Sequence, residues 1–382
     1  MPAKNIILIT LDGFRKDKIG LCPSLKSIKE NSYYFSEMNT NAPYTFAAHH
    51  VIFSGMYPSC NGVDGYYKMF NFKKDEITTL AEMLRKNDYY TVSETLDESV
   101  LPRQGFDEYN LFDEKTVNLK KRHMELIKKL SKKEKFFAFL HFTDTHLHYV
   151  RDIVQKYEKS ENDDEYYKLK KENNEKYNAS VSSCDDYVSG IIKTLQESNL
   201  FEKTVLIFIS DHGTSIGEKY GEKFYGVFVY ENTINVFCIM HIPGKSPKII
   251  SKQCSTIDLF PTIAELAGIR TENKSKIQGQ SLLYLIDDSS AKDREVFVET
   301  GGLYGPWPSP EKHNIFCVKI HGKKLIYNDA PQTWEFYDLK NDPNELHNIY
   351  DERSKQIGDL KRKLISHFKE NKIITKLNEN TS

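Results

Sequence analysis

Val205-Leu206-Ile207-Phe208-Ile209-Ser210-Asp211-His212-Gly213 is an apolar, β-branched run that stops at an acid, an imidazole and a glycine. A second run, Asn5-Ile6-Ile7-Leu8-Ile9-Thr10-Leu11, stops in the same way at Asp12-Gly13. Continuous apolar runs of this length suit strands buried on both faces of a parallel sheet. In open α/β sheets, ligands bind beyond the carboxyl ends of the strands. The two runs are therefore expected to deliver Asp12, Asp211 and His212 to one rim. Two carboxylates and an imidazole there make a site for a divalent metal.

Further elements follow outward from these strands. Phe136–Phe142 reads as a third buried strand, followed by Asp144, His146 and His148. Val236–Met240 reads as another, stopped by Pro243-Gly244. Helices are expected from Pro23 to about Asn31, over 44–54 after Pro43, over 76–87, over 181–197, and from Leu259 to Ala267 before Gly268. Over 76–87, Ile77, Leu80, Ala81 and Leu84 recur at helical spacing. Strands alternating with helices predict an α/β fold, a large and mostly parallel sheet sandwiched by helices. Beyond about 294 the texture changes. Arg294–Thr300, Phe316–Ile320, Lys324–Tyr327 and Glu335–Asp338 predict a small antiparallel sheet, with a final helix near 351–370. The expected division is a large unit over 1–293 and a C-terminal subdomain over 294–382 packed on it.

Composition bounds the function. Of 382 residues, 39% are hydrophobic and 28% charged, as expected of a globular chain with much charged surface. The formal net charge is −1, so no overall field draws the chain to nucleic acid or to a membrane surface. No stretch approaches the roughly 20 apolar residues of a membrane span. Only Lys4 precedes the first apolar run, and Asp12 follows it closely, which is not the pattern of a signal peptide. The expected location is the cytoplasm. Cys22, Cys60, Cys184, Cys238, Cys254 and Cys317 form no CxxC pair, so they read as reduced, mostly buried thiols. Residues 113–135 carry nine Lys/Arg against four Asp/Glu, and 151–177 are rich in Lys, Glu, Asp and Asn. Such segments read as solvated surface helices, or, for 151–177, as a lid over the site because it follows the Asp144–His148 cluster.

Thr45 stands in Ala42-Pro43-Tyr44-Thr45-Phe46-Ala47-Ala48-His49-His50, where a helix is expected to begin. A helix N-terminus favours an anion. The hydroxyl there has two readings: an N-cap, or a nucleophile whose pKa a metal lowers.

Several motifs resemble the sulfatases of the alkaline phosphatase superfamily, over nearly the whole chain. Asn5–Arg15 is similar to their opening strand and metal-binding acid. Ser54-Gly55-Met56-Tyr57-Pro58, Gly105-Phe106-Asp107-Glu108, Ser210–Gly213, Tyr230-Glu231 and Asp258–Gly268 resemble later family motifs in order and spacing. Lys324–Asn328 and Phe336–Glu345 resemble the family's C-terminal hairpin and its Y-D-L-x-x-D-P-x-E. The resemblance implies an alkaline phosphatase-like catalytic domain and places the nucleophile at Thr45. Sulfatases carry cysteine or serine there, converted to formylglycine; Thr-Phe-Ala-Ala-His cannot form that aldehyde. Cys22-Pro23-Ser24 lies on an earlier loop and does not substitute for it.

Other departures bear on substrate. The paired acids of the first strand are Asp12-Gly13. The sulfate-binding G-K-W-H-L-G is replaced by Ser93-Glu94-Thr95-Leu96-Asp97. The lysine expected four residues before Tyr230 is Gly226, with Lys223 nearby. Asp12-Gly13-Phe14-Arg15 and Thr45-Phe46-x-x-His49 instead resemble the nucleotide pyrophosphatase/phosphodiesterase branch, whose nucleophile is a metal-bound threonine. The implied metal ligands are Asp12, Thr45, Asp211 and His212. Imidazole ligation favours Zn or Mn over Ca. Asp144 and His148, at D-x-x-x-H spacing, are candidates for a second metal, completed by a distal histidine such as His313 or His321. The same stretch also resembles the sulfatase D-P-H-x-P-Y, which makes His146 an oxyanion contact or proton donor. His49, Lys223 and His313 are candidate substrate contacts.

These readings lead first to a phosphodiester or phosphonate hydrolase with Thr45 as nucleophile and His146 or His148 as proton donor. The alternatives are a sulfuric ester hydrolase without formylglycine, a phospho-group transferase, and a non-catalytic relic that binds an anionic glycan or a partner. The expected substrate is a small-molecule, glycan- or lipid-derived anionic ester.

Overall fold

The Asn5–Leu11, Phe136–Phe142 and Thr204–Ile209 strands lie side by side at the centre of the molecule, every residue buried. The structure, a computed structural model, describes residues 3–158, 163–271, 276–288, 290–301 and 314–377. In chain order the strands are β1 (Asn5–Leu11), β2 (Tyr33–Phe35), β3 (Met38–Asn39), β4 (Tyr90–Thr95), β5 (Glu108–Leu111), β6 (Phe136–Phe142) and β7 (Thr204–Ile209). They continue as β8 (Cys238–His241), β9 (Lys248–Ile250), β10 (Cys254–Ser255), β11 (Val296–Thr300), β12 (Ile315–Ile320), β13 (Lys323–Asn328) and β14 (Thr333–Asp338).

The main sheet has eight strands in the order β5-β4-β6-β1-β7-β8-β2-β9. All pairs are parallel except those made by β8, which runs against both β7 and β2. Register matters most at the centre. Asn5 pairs with Phe136 on one side and Thr204 on the other, so β6, β1 and β7 end level with one another. Whatever follows them in the chain is brought to the same rim.

Helices cover the sheet because their apolar stripes match it. The Leu119–Leu130 helix buries Leu119, His123, Leu126, Ile127 and Leu130, so the basic 113–135 segment is solvated on one face only. The Lys170–Glu197 helix starts earlier than the expected 181 and buries Tyr177, Val181, Cys184, Val188 and Ile191 along one side. The 151–177 segment is likewise anchored, by buried Ile153, Val154, Tyr157, Tyr166 and Tyr177. Its charges alone concealed these anchors. The short strands β2, β4, β5 and β9 had no clear apolar run in the sequence. The helix expected over 76–87 is confined to Leu80–Arg85, opened by a capping box between Thr79 and Glu82.

β11–β14 form a separate four-stranded antiparallel meander. The Lys355–Glu370 helix packs Ile357, Leu360, Leu364 and Phe368 against it. The other face of the sheet meets the main body through apolar contacts and buried charges. Lys324 reaches Glu231 at 3.1 Å and Glu345 at 2.7 Å, and Lys319 reaches Glu231 at 2.7 Å and Asn39 at 2.9 Å. Burial pushes Glu231 up, but Lys319 and Lys324 outweigh it and bring it down to about 2. No helix among the described residues is long and apolar enough to cross a membrane.

Removing one member of a buried ion network strands the others without a counter-charge. Lys324→Met should therefore cost about 3–5 kcal/mol in urea unfolding. Acid should act through buried neutral imidazoles. Burial lowers His50 to about 4 and His123 to about 3. Unfolded, each titrates near 6.5, so their contribution is full above that pH and is lost as pH falls toward 4. The urea midpoint should drop across this window, and His50→Gln should flatten the drop.

Candidate active site

The level ends of β6, β1 and β7 supply the site. Asp12 follows β1, and Asp211 and His212 follow β7. Their ligand atoms lie within 4.8 Å of one another, the one such acid and imidazole group among the described residues. Two glycines permit this approach. Gly13 has φ of 64° and donates its N–H to Asp211 Oδ1 at 3.1 Å. At Gly213, a Cβ would lie 2.0 Å from the Asn232 carbonyl oxygen, so no side chain fits.

The side chains are held at their outer atoms. His212 Nδ1 lies 2.7 Å from the Gly213 carbonyl and donates to it, which leaves the Nε2 lone pair facing the site. Nε2 lies 3.7 Å from both Asp12 Oδ1 and Asp211 Oδ2. His141, on β6, sits 2.9 Å from Asp12 Oδ2 through Nε2. Asp12 Oδ1 and Asp211 Oδ2 are buried and accept no hydrogen bond. Two uncompensated carboxylate oxygens beside an imidazole lone pair are what a divalent cation satisfies, so the donor set fits one. Burial pushes the Asp12 carboxyl up, but His146, His141 and His212 around it outweigh this and hold it well below the usual range.

Thr45 opens the Thr45–Ser54 helix, and its Oγ1 lies 3.1 Å from His212 Nε2. Tyr44, in extended conformation, holds the N-cap position, so the Thr45 hydroxyl is not a cap. The first intrahelical bond runs from Ala48 N–H to the Tyr44 carbonyl at 3.1 Å. The start of this helix, with its positive dipole end beside the Thr45 hydroxyl, favours an anion.

The remaining predicted residues divide. His146 lies at this rim: its Nε2 is 2.9 Å from the Tyr225 hydroxyl, and its buried Nδ1 has no hydrogen-bond partner. The Tyr225 ring stacks on His212, centroids 4.9 Å apart. His49 is fully buried, with Nδ1 2.8 Å from the Thr45 carbonyl and Nε2 3.0 Å from the Thr10 hydroxyl. Burial lowers it to about 4. A neutral ring with both nitrogens engaged braces the Thr45–Ser54 helix and is not disposed to contact an anion. Asp144 and His148 are half-buried on the Asp144–Tyr149 helix and do not join the Asp12–Asp211–His212 group. Lys223 is committed to Asp163 at 2.6 Å. His313 lies outside the described residues, and His321 turns away on the β12–β13 hairpin to meet Asp293.

Two rim residues escaped sequence reading. His141 is an imidazole inside an otherwise apolar strand, paired in register with Thr10, and that misfit was its only signal. Tyr225 stands on a loop without periodicity. Tyr177 supports the rim from outside: its hydroxyl accepts from Arg15 N–H at 2.8 Å and donates to the Gly13 carbonyl at 2.7 Å.

Comparison with known proteins agrees with this architecture. The family model described as Sulfatase matches residues 4–269, and one described as N-sulphoglucosamine sulphohydrolase, C-terminal, matches 221–373. Arylsulfatase K of Homo sapiens is 30% identical over 182 residues, covering 45% of this chain and 32% of the relative. N-acetylglucosamine-6-O-sulfatase of Bacteroides thetaiotaomicron is 27% identical over 207 residues, covering 51% of this chain and 36% of the relative. These matches span about a third of the relatives' length. Among solved structures, a 2-O GAG sulfatase superimposes with a TM-score of 0.79 at 17% identity, covering 97% of this chain and 93% of that one. The phosphonate monoester hydrolase of Silicibacter pomeroyi gives 0.74 at 14% identity, covering 98% and 97%. At these identities the structures show a shared fold. With the family model matched across the whole rim from Asp12 to His212, the chain belongs to the sulfatase family of ester hydrolases.

Proposed function

We propose that this chain hydrolyses sulfuric esters with an unmodified threonine, Thr45, as nucleophile. The observation that carries the reading is Thr45 Oγ1 at 3.1 Å from His212 Nε2, at the foot of a helix N-terminus and beside two orphaned carboxylate oxygens. The arylsulfatase and glycan sulfatase names of the relatives favour the sulfuric ester over the phosphoester that residue chemistry alone put first.

The mechanism follows from these groups. The ester's anionic oxygens face the N-terminal end of the Thr45–Ser54 helix, whose dipole favours them. Thr45 Oγ1 gives up its proton to solvent and attacks sulfur, forming an O–S bond as the bond to the leaving oxygen breaks in line. His146, held through Nε2 by Tyr225, presents Nδ1 to protonate the leaving group. Water then attacks the sulfur, releasing sulfate and restoring the Thr45 hydroxyl. A divalent cation held by Asp12, Asp211 and His212 would, when bound, polarise the ester and make the Thr45 hydroxyl more acidic. Oxygen-rich donors suit Ca or Mg, and the imidazole suits Zn or Mn, so the donor set admits both classes.

A second reading, hydrolysis of phosphodiesters or phosphonate monoesters, is favoured by one observation: a threonine, which cannot become formylglycine, stands beside a histidine. The same groups serve in-line attack at phosphorus. The subdomain over 294–382 contributes by holding Glu231 and the loop that precedes it, which carries Tyr225.

Thr45→Ala should lower kcat on 4-nitrophenyl sulfate by ~10³-fold or more, while Thr45→Ser retains part of it. Substantial turnover by Thr45→Ala would remove the nucleophile assignment. Parallel assays of an aryl sulfate, an aryl phosphodiester and an aryl phosphonate rank the two readings by kcat/KM.

A further inference from the structure

His141 is the only polar residue of β6, in Phe136-Phe137-Ala138-Phe139-Leu140-His141-Phe142. Its side chain is fully buried, with the ring centroid 5.3 Å from His49, 6.2 Å from Phe139 and 6.5 Å from Phe112. Packing of that kind suits any aromatic ring and does not call for an imidazole. The imidazole is also costly there. Its Nδ1 is buried with no hydrogen-bond partner among the described residues, a penalty of about 1–3 kcal/mol. One contact accounts for its presence: Nε2 lies 2.9 Å from Asp12 Oδ2. An ionised carboxylate only accepts, so Nε2–H donates.

That bond gives the two Asp12 oxygens different tasks. Oδ2 is taken by His141, while Oδ1 accepts no hydrogen bond and lies 3.7 Å from His212 Nε2. Asp211 is divided in the same way by the main chain. Its Oδ1 accepts from Gly13 N–H at 3.1 Å and His212 N–H at 2.9 Å. Its Oδ2 accepts none and lies 3.7 Å from the same His212 Nε2. Each carboxylate therefore turns one bare oxygen toward the imidazole. For Asp12 the main chain supplies no such hold, since its own N–H donates to the Phe142 carbonyl at 3.0 Å. Among the described residues, His141 alone hydrogen-bonds the Asp12 carboxylate. The terminal torsion of an aspartate is otherwise broad.

We propose that His141 is a positioning residue for the cation: by holding Oδ2 it fixes the rotation of the Asp12 carboxylate and keeps Oδ1 turned toward Asp211 Oδ2 and His212 Nε2. Ligating carboxylates are themselves hydrogen-bonded, and losing such a partner typically costs about 10–100-fold in metal affinity. The inference rests on the cation that Asp12, Asp211 and His212 would hold, and is independent of Thr45 as nucleophile.

The test is calorimetric titration of chelator-stripped protein with Ca, Mg, Mn and Zn, following the ion that the wild-type protein binds most tightly. His141→Phe keeps an aromatic ring in the same apolar setting and removes the donor, so that ion should bind ~10–100-fold more weakly. His141→Gln places an amide N–H where Nε2 stands and should return the affinity to within ~5-fold of wild type. His141→Asn, whose amide stops one carbon short, should stay as weak as His141→Phe. A purely structural role would reverse this order, because phenylalanine preserves the packing best. Circular dichroism identifies any variant that does not fold; if His141→Phe is lost, the comparison of His141→Gln with His141→Asn decides. Affinity in His141→Phe within ~3-fold of wild type, or His141→Gln binding no more tightly than His141→Phe, overturns the proposal. A wild-type protein that binds none of these ions overturns it together with the cation itself. Turnover by Thr45→Ala bears on the nucleophile alone, so the two readings fail separately.

Discussion

Two carboxylate oxygens, Asp12 Oδ1 and Asp211 Oδ2, are buried within 4.8 Å of each other's group with no hydrogen bond to offset them. Left alone, such a pair repels and is costly to bury. The surrounding structure is arranged to hold them there regardless. Equal register brings β1 and β7 to the same height. Gly13 turns the chain so that its own N–H braces Asp211, and Tyr177 ties that turn down. His141 and His212 flank the carboxylates from either side. The arrangement is intelligible as a cradle for a cation, and Thr45 is placed at its edge.

The C-terminal sheet bears on the same rim at a distance. Lys319 and Lys324 project from β12 and β13 into the main body, where Glu231 opens a short helix just beyond the Tyr225 loop. Glu231 N–H donates to Glu345 Oε2 at 2.6 Å, closing the ring of contacts. Thr300, at the end of β11, donates to the Gly226 carbonyl at 2.9 Å. The loop that carries the neutral roof over His212 is therefore fixed by residues from the far end of the chain. Tyr149 and Tyr166 fix its other end, both donating to the Ser215 carbonyl, at 2.7 and 2.8 Å.

Strands buried on both faces were legible because their apolar runs are uninterrupted, and their terminal acids announced the rim. Thr45 was legible through its place before Ser54-Gly55. What escaped had a physical cause in each case. Asp144 and His148 share one face of a helix by spacing, but that face does not meet the Asp12 group, and periodicity carries no information on which rim a helix faces. His49 matched an anion-binding position in sequence, yet its depth and its two hydrogen bonds make it a brace. His141 and Tyr225 reach the rim through tertiary approach, which no local pattern encodes. The 151–177 segment was read by its charges, while its tyrosines, spaced among them, do the packing.

The central claim is that Asp12, Asp211 and His212 hold a divalent cation beside Thr45. Elemental analysis tests it most directly, on protein stripped with chelator, incubated in turn with Ca, Mg, Mn and Zn, and desalted. The account predicts one ion retained per chain by the wild-type protein and none by Asp211→Asn. A wild-type protein that retains no ion under any of these conditions, or an Asp211→Asn variant that retains it equally well, would contradict the account.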